Sequence, residues 1–375
     1  MLVLAAFAAG APGAAGAAPE PRDLGPDLAP LVAKHGVPGL VAAVVEGDRT
    51  TALGAAGVRA RGSEERVLAG DRFHLGSCTK AMTATLCALL VEEGRLSWDA
   101  PAAGVLEDPA KADPGWKGAT LERLLTMRAG APPDLDADGL WARLWRREGT
   151  PTEQRAVLAR GVLGKPPLHA PGTRTLYANA SYALAGVLAE RAAGKPFEEL
   201  LRDRLFRALG MESAGFGAPG SRDSVDQPRG HDGEGKPVPP GPAADNPPAV
   251  APAGTVHASV GDWARFAALH LEAARGRPRL LKAESFRRLH AVPGGGDDYA
   301  MGWGVGRRPD LGRVLEHAGS NTMWYALVRI APEKGFAIVV ACNEAGPGLA
   351  KGEAACEGAA ELLARRVLEG RKPPR

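Results

Sequence analysis

The stretch "FHLGSCTKAMTATLCALLVEEGRL" (residues 73–96) decides how the chain is read. An extended apolar run reaches Gly76, and a helical pattern begins at once. Met82, Leu86, Leu89 and Leu90 form an amphipathic stripe, and Gly94 supplies a stop. Ser77 stands at the junction, and Lys80 follows three residues later. Positions three apart on a helix share a face, so both side chains point into the same space. A helix N-terminus offers unpaired N–H groups and the positive end of a dipole to developing negative charge. A lysine held in an apolar wall loses its proton more readily and can then accept one from a serine hydroxyl. The competing reading is a capping serine beside a solvated lysine. Ten serines and eleven lysines yield about 0.3 S-x-x-K matches by chance, so the motif alone does not choose between the two.

Two further elements add weight. "LYANAS" carries Tyr177 and Asn179; four tyrosines and four asparagines yield only about 0.04 Y-x-N matches by chance, so this is the rarer signal. A phenol near a lysine cation can lose its proton more easily and relay it between a serine and a leaving group. The amide of Asn179 could orient Lys80 and a substrate carbonyl; the alternative is a helix-capping Asn beside a core tyrosine. "EHAGSN" (316–321) contains His317 in an H-x-G pattern that also occurs at His74 and His231. His231 falls in a Pro/Gly-rich passage and His74 is too close to Ser77 to face it, which leaves His317 at a strand end.

Around these motifs the chain divides by pattern. "GLVAAVVEGDRTTALGAAGVRA" (39–60) reads as two strands about a turn at Glu46–Gly47–Asp48–Arg49. "RVLEHAG" (313–319), "TMWYALVRIA" (322–331) and "GFAIVVACN" (335–343) read as three more, the last two joined by Pro332–Glu333–Lys334–Gly335. Residues 349–369 read as a closing helix. "ATLERLLTMRAG", "YANASYALAGVLAERAAG" and "PFEELLRDRLFRALG" read as helices that finish on glycine. Residues 217–254 read as a long surface loop, and "SVGDWARFAALHL" as a helix opened by a Ser259/Asp262 capping box. The expected fold class is α+β: a central antiparallel sheet built from both chain ends (24–75 and 295–375), flanked by helices, with a mainly helical lobe inserted at 76–294. A site belongs in the cleft between them.

Composition narrows the function. Of 375 residues, 45% are hydrophobic and 24% charged, ordinary for a globular protein. A net charge of +3, with no basic cluster interleaved with aromatics, argues against nucleic acid as a partner. Cysteines at 78, 87, 342 and 356 have no metal-ligand spacing and read as small buried hydrophobes, and no H-E-x-x-H occurs; neither metal nor cofactor is expected. G-x-S-x-G is absent too, which removes the α/β-hydrolase elbow. The opening "MLVLAAFAAGAPGAAGAAP" is apolar, too short and Pro-broken to be a stable membrane span, and carries Ala15–Gly16–Ala17 as a cleavage-type pattern. Residues 1–18 are therefore expected to be a signal peptide, 19–375 a single catalytic domain, and the protein exported to the periplasm or outside the cell.

"FHLGSCTKAMTATL", "TLYANASYALAGVLAERAAGKPFEELLRDRLFRALGM", "PAGTVHASVGDWARF" and "EHAGSNTMWYALVRIAPEKGFAIVVACN" together resemble the serine beta-lactamase-related family. This group, with its penicillin-binding-protein-like (beta-lactamase/transpeptidase-like) fold, holds class C beta-lactamases, D-specific serine peptidases and related esterases. The resemblance implies a serine hydrolase that forms an acyl-enzyme. It casts Ser77 as nucleophile, Lys80 as its proton partner and Tyr177 as general base and acid. Asn179, His317, Gly319 and Ser320 would bind substrate, and the backbone N–H groups of Ser77 and Ser320 would form the oxyanion hole. His317 and Ala318 stand where the lactamases carry Lys and Thr of K-T-G, and a mostly neutral histidine recognises a carboxylate more weakly. The expectation accordingly leans from beta-lactamase, kept as a weak activity, toward an esterase, D-aminopeptidase or DD-peptidase-like enzyme acting on a small-molecule or peptide substrate. A penicillin-binding or sensing module without turnover is the alternative.

Overall fold

Both ends of the chain feed one sheet. The computed structural model describes residues 20–136, 139–296 and 298–371; the expected signal peptide and its Ala15–Gly16–Ala17 pattern lie outside the described residues. After β1 (Arg22–Asp23) and α1 (Gly25–His35), the expected hairpin forms as β2 (Gly39–Glu46) and β3 (Arg49–Gly57). β4 (Arg72–His74) leads through one tight turn, Gly76–Cys78, into α2 (Thr79–Glu92). The middle follows as α3 (Leu121–Leu125), α4 (Leu140–Trp145), α5 (Pro151–Leu163), α6 (Asn179–Ala193), α7 (Phe197–Leu201) and α8 (Arg207–Leu209). Next come β5 (Gly215–Phe216), β6 (Gly230–His231), β7 (Pro237–Val238), α9 (Ala251–Gly254), β8 (Val256–Ser259), α10 (Val260–Ala274) and α11 (Ala283–Leu289). The chain returns through β9 (Asp298–Tyr299), β10 (Gly304–Arg308), β11 (Gly312–Ser320), β12 (Tyr325–Ala331) and β13 (Phe336–Cys342), and closes with α12 (Ala350–Gly370).

The main sheet has eight strands in the order β1-β3-β2-β13-β12-β11-β10-β9. Each neighbouring pair is antiparallel except β1 with β3. β13 joins the two chain ends by pairing with β2, Val41 opposite Ala341 and Ala43 opposite Val339. Because side chains alternate across a strand, the sheet serves two cores. Val41, Ala43 and Val45 of β2 face the larger core beneath α2 and α10, while Leu40, Ala42 and Val44 face a smaller one closed by α1 and α12. The central strands are therefore buried on both faces, which is why β13 reads as an unbroken apolar run and β12 as one interrupted only by the buried, ion-paired Arg329.

The architecture is α+β, with the antiparallel sheet assembled from both ends and flanked by helices, as the pattern predicted. Several local readings change. The helix expected through "ATLERLLTMRAG" stops at Leu125, and Met127 turns to a left-handed φ of 58°. Ser259 does accept from the Asp262 N–H, but the Asp262 carboxylate turns to the amide and hydroxyl of Ser213 instead of completing a capping box. The 217–254 passage is a surface loop only in part: it holds the β6–β7 hairpin, and Ala249–Gly254 is buried. α10 lies against β2 and β13 and so belongs with the sheet by its packing. All four cysteines are free and buried.

Candidate active site

Ser77 occupies the tight turn between β4 and α2, and Lys80 lies in the first turn of α2. The Lys80 side chain is fully buried, with Nζ donating to Ser77 Oγ at 3.0 Å, Asn179 Oδ1 at 2.8 Å and the Ala253 carbonyl at 2.7 Å. Three acceptors satisfy the ammonium's three donors, but none of them is a carboxylate. Burial without a countercharge therefore lowers the Lys80 pKa to about 7. Asn179 opens α6, yet its side chain does not cap that helix; it orients Lys80.

Tyr177 lies two residues before the start of α6, and Lys80 Nζ sits 4.8 Å from its ring centre. The ring is 42% exposed, while its hydroxyl end turns inward toward Ser77. Burial raises the phenol above its ordinary range and outweighs the smaller, opposite pull of the Ser77 hydroxyl. The expected lowering of this phenol by a lysine cation is thus reversed.

β11 brings the third expected element alongside. Gly319 and Gly76 meet backbone to backbone: a Cβ on Gly319 would lie 2.1 Å from the Leu75 carbonyl oxygen and 2.8 Å from the Ser77 nitrogen. A Cβ on Gly76, whose φ is 49°, would lie 2.3 Å from the Ser320 nitrogen. Only two glycines permit this approach, and it sets the Ser77 and Ser320 amides on either side of one contact. Two backbone N–H groups so placed can hold a developing oxyanion.

His317 is buried at the same edge. Its Nδ1–H donates to the Ala318 carbonyl at 2.6 Å, which leaves Nε2 as the acceptor for the Tyr299 hydroxyl at 3.0 Å. Burial, then the nearby Lys80 charge, lower its pKa to about 3. Both ring nitrogens are engaged and the ring is neutral. The Tyr299 ring in turn meets the Tyr177 ring edge-on at 6.1 Å.

A beta-lactamase family model matches residues 27–358. The chain belongs to the beta-lactamase family. Penicillin-binding protein 4 of Amycolatopsis lactamdurans is 31% identical over 84% of this chain and 82% of its own length. A beta-lactamase of Pseudomonas fluorescens is 24% identical over 87% of this chain and 94% of that protein. Among solved structures, the octameric penicillin-binding protein homologue of Pyrococcus abyssi superposes with a TM-score of 0.72 at 26% identity, covering 92% of this chain and 76% of that one. A D-alanine carboxypeptidase of Burkholderia cenocepacia shares the fold with a TM-score of 0.68 at 23% identity, over 91% of this chain and 96% of that one.

In this member of a serine hydrolase family, Ser77, Lys80, Tyr177 and Asn179 converge, with His317, Gly319 and Ser320 along one wall. Two neighbours of these residues escaped the sequence reading: Ala253 and Tyr299. Ala253 acts through its carbonyl, which every residue possesses. Tyr299 did leave a trace, since three of the chain's four tyrosines (177, 182 and 299) gather here. Trp303 and Trp324 are fully buried core residues packed on Phe266 and Phe73. Among the described residues no His/Cys/Asp/Glu cluster could hold a metal, and no helix is long and apolar enough to cross a membrane.

Proposed function

We propose that the protein hydrolyses esters or amides through an acyl-enzyme on Ser77, with Lys80 as the base. The observation that carries this reading is the 3.0 Å contact between Ser77 Oγ and a buried, uncompensated lysine amine with a pKa near 7. Lys80 Nζ takes the hydroxyl proton as Oγ bonds to the substrate carbonyl carbon, and the oxyanion forms between the Ser77 and Ser320 amides. The proton passes by way of the Tyr177 phenol to the departing alcohol or amine as the carbonyl re-forms. Water then attacks the acyl group by the same route in reverse and frees Ser77. Asn179 holds Lys80 and faces the substrate carbonyl. Tyr177 acts as a neutral proton carrier because its raised pKa disfavours the phenolate.

The substrate class follows from the wall at 317–319. The neutral, doubly bonded His317 offers no cation to a substrate carboxylate, which favours esterase or D-aminopeptidase-type substrates over beta-lactams and DD-peptides. A second reading, acylation by penicillins without turnover, draws on the name of the Amycolatopsis relative. A panel of p-nitrophenyl acyl esters, D-alanyl amides and nitrocefin, run on wild type and Ser77→Ala, tests both. The expected result is stoichiometric fluorophosphonate labelling of Ser77 and a loss of at least about 1,000-fold in Ser77→Ala. Turnover surviving in a folded Ser77→Ala protein would refute the reading. A burst with no steady state would select the binding module.

A further inference from the structure

One buried histidine lies next to this machinery without entering it. His74, at the end of β4, is fully buried. Its Nδ1 accepts from the Gly76 N–H at 3.1 Å, and its Nε2–H donates to Asp245 Oδ1 at 2.7 Å. A carboxylate–imidazole pair invites comparison with a proton relay, but the lone pair here points at a backbone amide. Ser77 Oγ receives its hydrogen bond from Lys80 instead. What the imidazole holds is the turn itself: Gly76 stands at a left-handed φ of 49°, with Ser77 next in the chain.

The segment beyond His74 is tied down on every side. Asp245 Oδ1 also accepts from the Asn246 N–H at 2.7 Å, and Arg147 Nη2 donates to the carbonyls of Asp245 at 2.6 Å and Asn246 at 3.3 Å. One residue earlier, the Ala244 carbonyl accepts from Asn321 Nδ2 at 3.1 Å. Asn321 directly follows Ser320, and its Oδ1 accepts from the Met323 and Trp324 amides, both at 3.2 Å. The chain Gly76–His74–Asp245–Ala244–Asn321 therefore runs unbroken from one oxyanion donor's neighbour to the other's.

We propose that His74 and Asn321 are positioning residues which, through residues 244–246, set the spacing of the Ser77 and Ser320 amides. This rests on the reading of Ser77 as nucleophile. Such a brace acts on the transition state, where the oxyanion exists, and leaves substrate binding nearly untouched.

The test separates the two nitrogens of His74. In His74→Asn the amide oxygen takes the place of Nδ1 and can still accept from Gly76. In His74→Gln the amide reaches toward the Nε2 position and Asp245 but abandons Gly76. Asn321→Asp keeps the acceptor for Met323 and Trp324 and turns a carboxylate oxygen against the Ala244 carbonyl. Steady-state kinetics on the best ester and the rate of fluorophosphonate labelling are read together, with near-UV circular dichroism as the folding check. Each His74 variant breaks one link of the chain, so the expected result is kcat about 10-fold lower in His74→Asn, about 100-fold lower in His74→Gln and about 10-fold lower in Asn321→Asp, with KM little changed. A wild-type kcat in any of the three variants, or a rise in KM in place of a fall in kcat, would overturn the brace. Should His74→Gln fail to fold, His74→Asn and Asn321→Asp still decide it. A wild type that takes up no fluorophosphonate at all would instead sink the hydrolase reading.

Discussion

Lys80 and His317 both lie beside the turn that carries Ser77, and burial acts on both, with opposite consequences. Each is a nitrogen base removed from water with no carboxylate partner, so each has its charged form disfavoured. Lysine starts from 10.5 and arrives at about 7, where it exchanges a proton readily at physiological pH. Histidine starts from 6.5 and arrives at about 3, where it no longer titrates in any useful range. The same desolvation creates a base in one corner and disables a cation in the other. Hydrogen bonding reinforces the difference. Lys80 spends its donors on groups that act with it, whereas His317 is closed at Nδ1 by its own chain and at Nε2 by Tyr299.

The hardest blow to this contrast is Lys80→Arg. A guanidinium keeps the charge but cannot be deprotonated near neutrality, so it cannot accept the Ser77 proton. kcat/KM should fall by about 1,000- to 10,000-fold, and near-wild-type rates would refute Lys80 as base. The pH profile carries the same information with a defined sign. Below about 7 the Lys80 amine binds a proton and is lost as an acceptor, so kcat/KM should rise with pH through about 7 and then level off. A profile flat from pH 5 to 8 would contradict the lowered lysine.

Gly319→Ala comes next, because it strikes the wall that both corners share. The new methyl would lie 2.1 Å from the Leu75 carbonyl oxygen and 2.8 Å from the Ser77 nitrogen, both backbone atoms that cannot step aside. β11 must retreat from the turn, carrying the Ser320 amide with it. Loss of one oxyanion donor costs about 100- to 1,000-fold in kcat. Fluorophosphonate labelling of Ser77 should slow in step, and a folded Gly319→Ala enzyme with normal kcat would show that the two amides do not act together.

How much of this was legible in the sequence depends on whether side chains or backbone make the contact. β2, β3 and β11–β13 were readable because β-branched runs and turn residues announce them, and Ser77, Lys80, Tyr177 and Asn179 because their side chains meet each other. The Ala253 carbonyl and the Gly76–Gly319 approach use atoms that carry no residue signature. β9 and β10 escaped notice because glycine and arginine interrupt "GVGRR" and β9 has only two residues. The pairing of His317 with Tyr299 joins residues 18 apart across the paired strands β9–β11, a neighbourhood set by β10, which was itself missed. His74 is too near Ser77 to face its hydroxyl, but it is well placed to accept from the Gly76 amide, another backbone group without a residue signature.

The smallest expected effect tests the inert corner by giving it the charge it lacks. In His317→Lys an ammonium would stand where a carboxylate-bearing substrate passes, beside the Tyr299 hydroxyl as an acceptor. A charge-assisted hydrogen bond to that carboxylate should shift the ratio of kcat/KM for nitrocefin to that for p-nitrophenyl acetate by about 10-fold in favour of nitrocefin. Tyr299→Phe releases Nε2 without adding charge, and an imidazole with a pKa near 3 stays neutral from pH 5 upward. That variant should move the ratio by less than about 3-fold, which separates a missing cation from a merely blocked nitrogen. An unchanged ratio in His317→Lys would mean that this wall does not meet the substrate. A larger shift in Tyr299→Phe would mean that the tyrosine's hydrogen bond, rather than the low pKa, keeps His317 out of recognition.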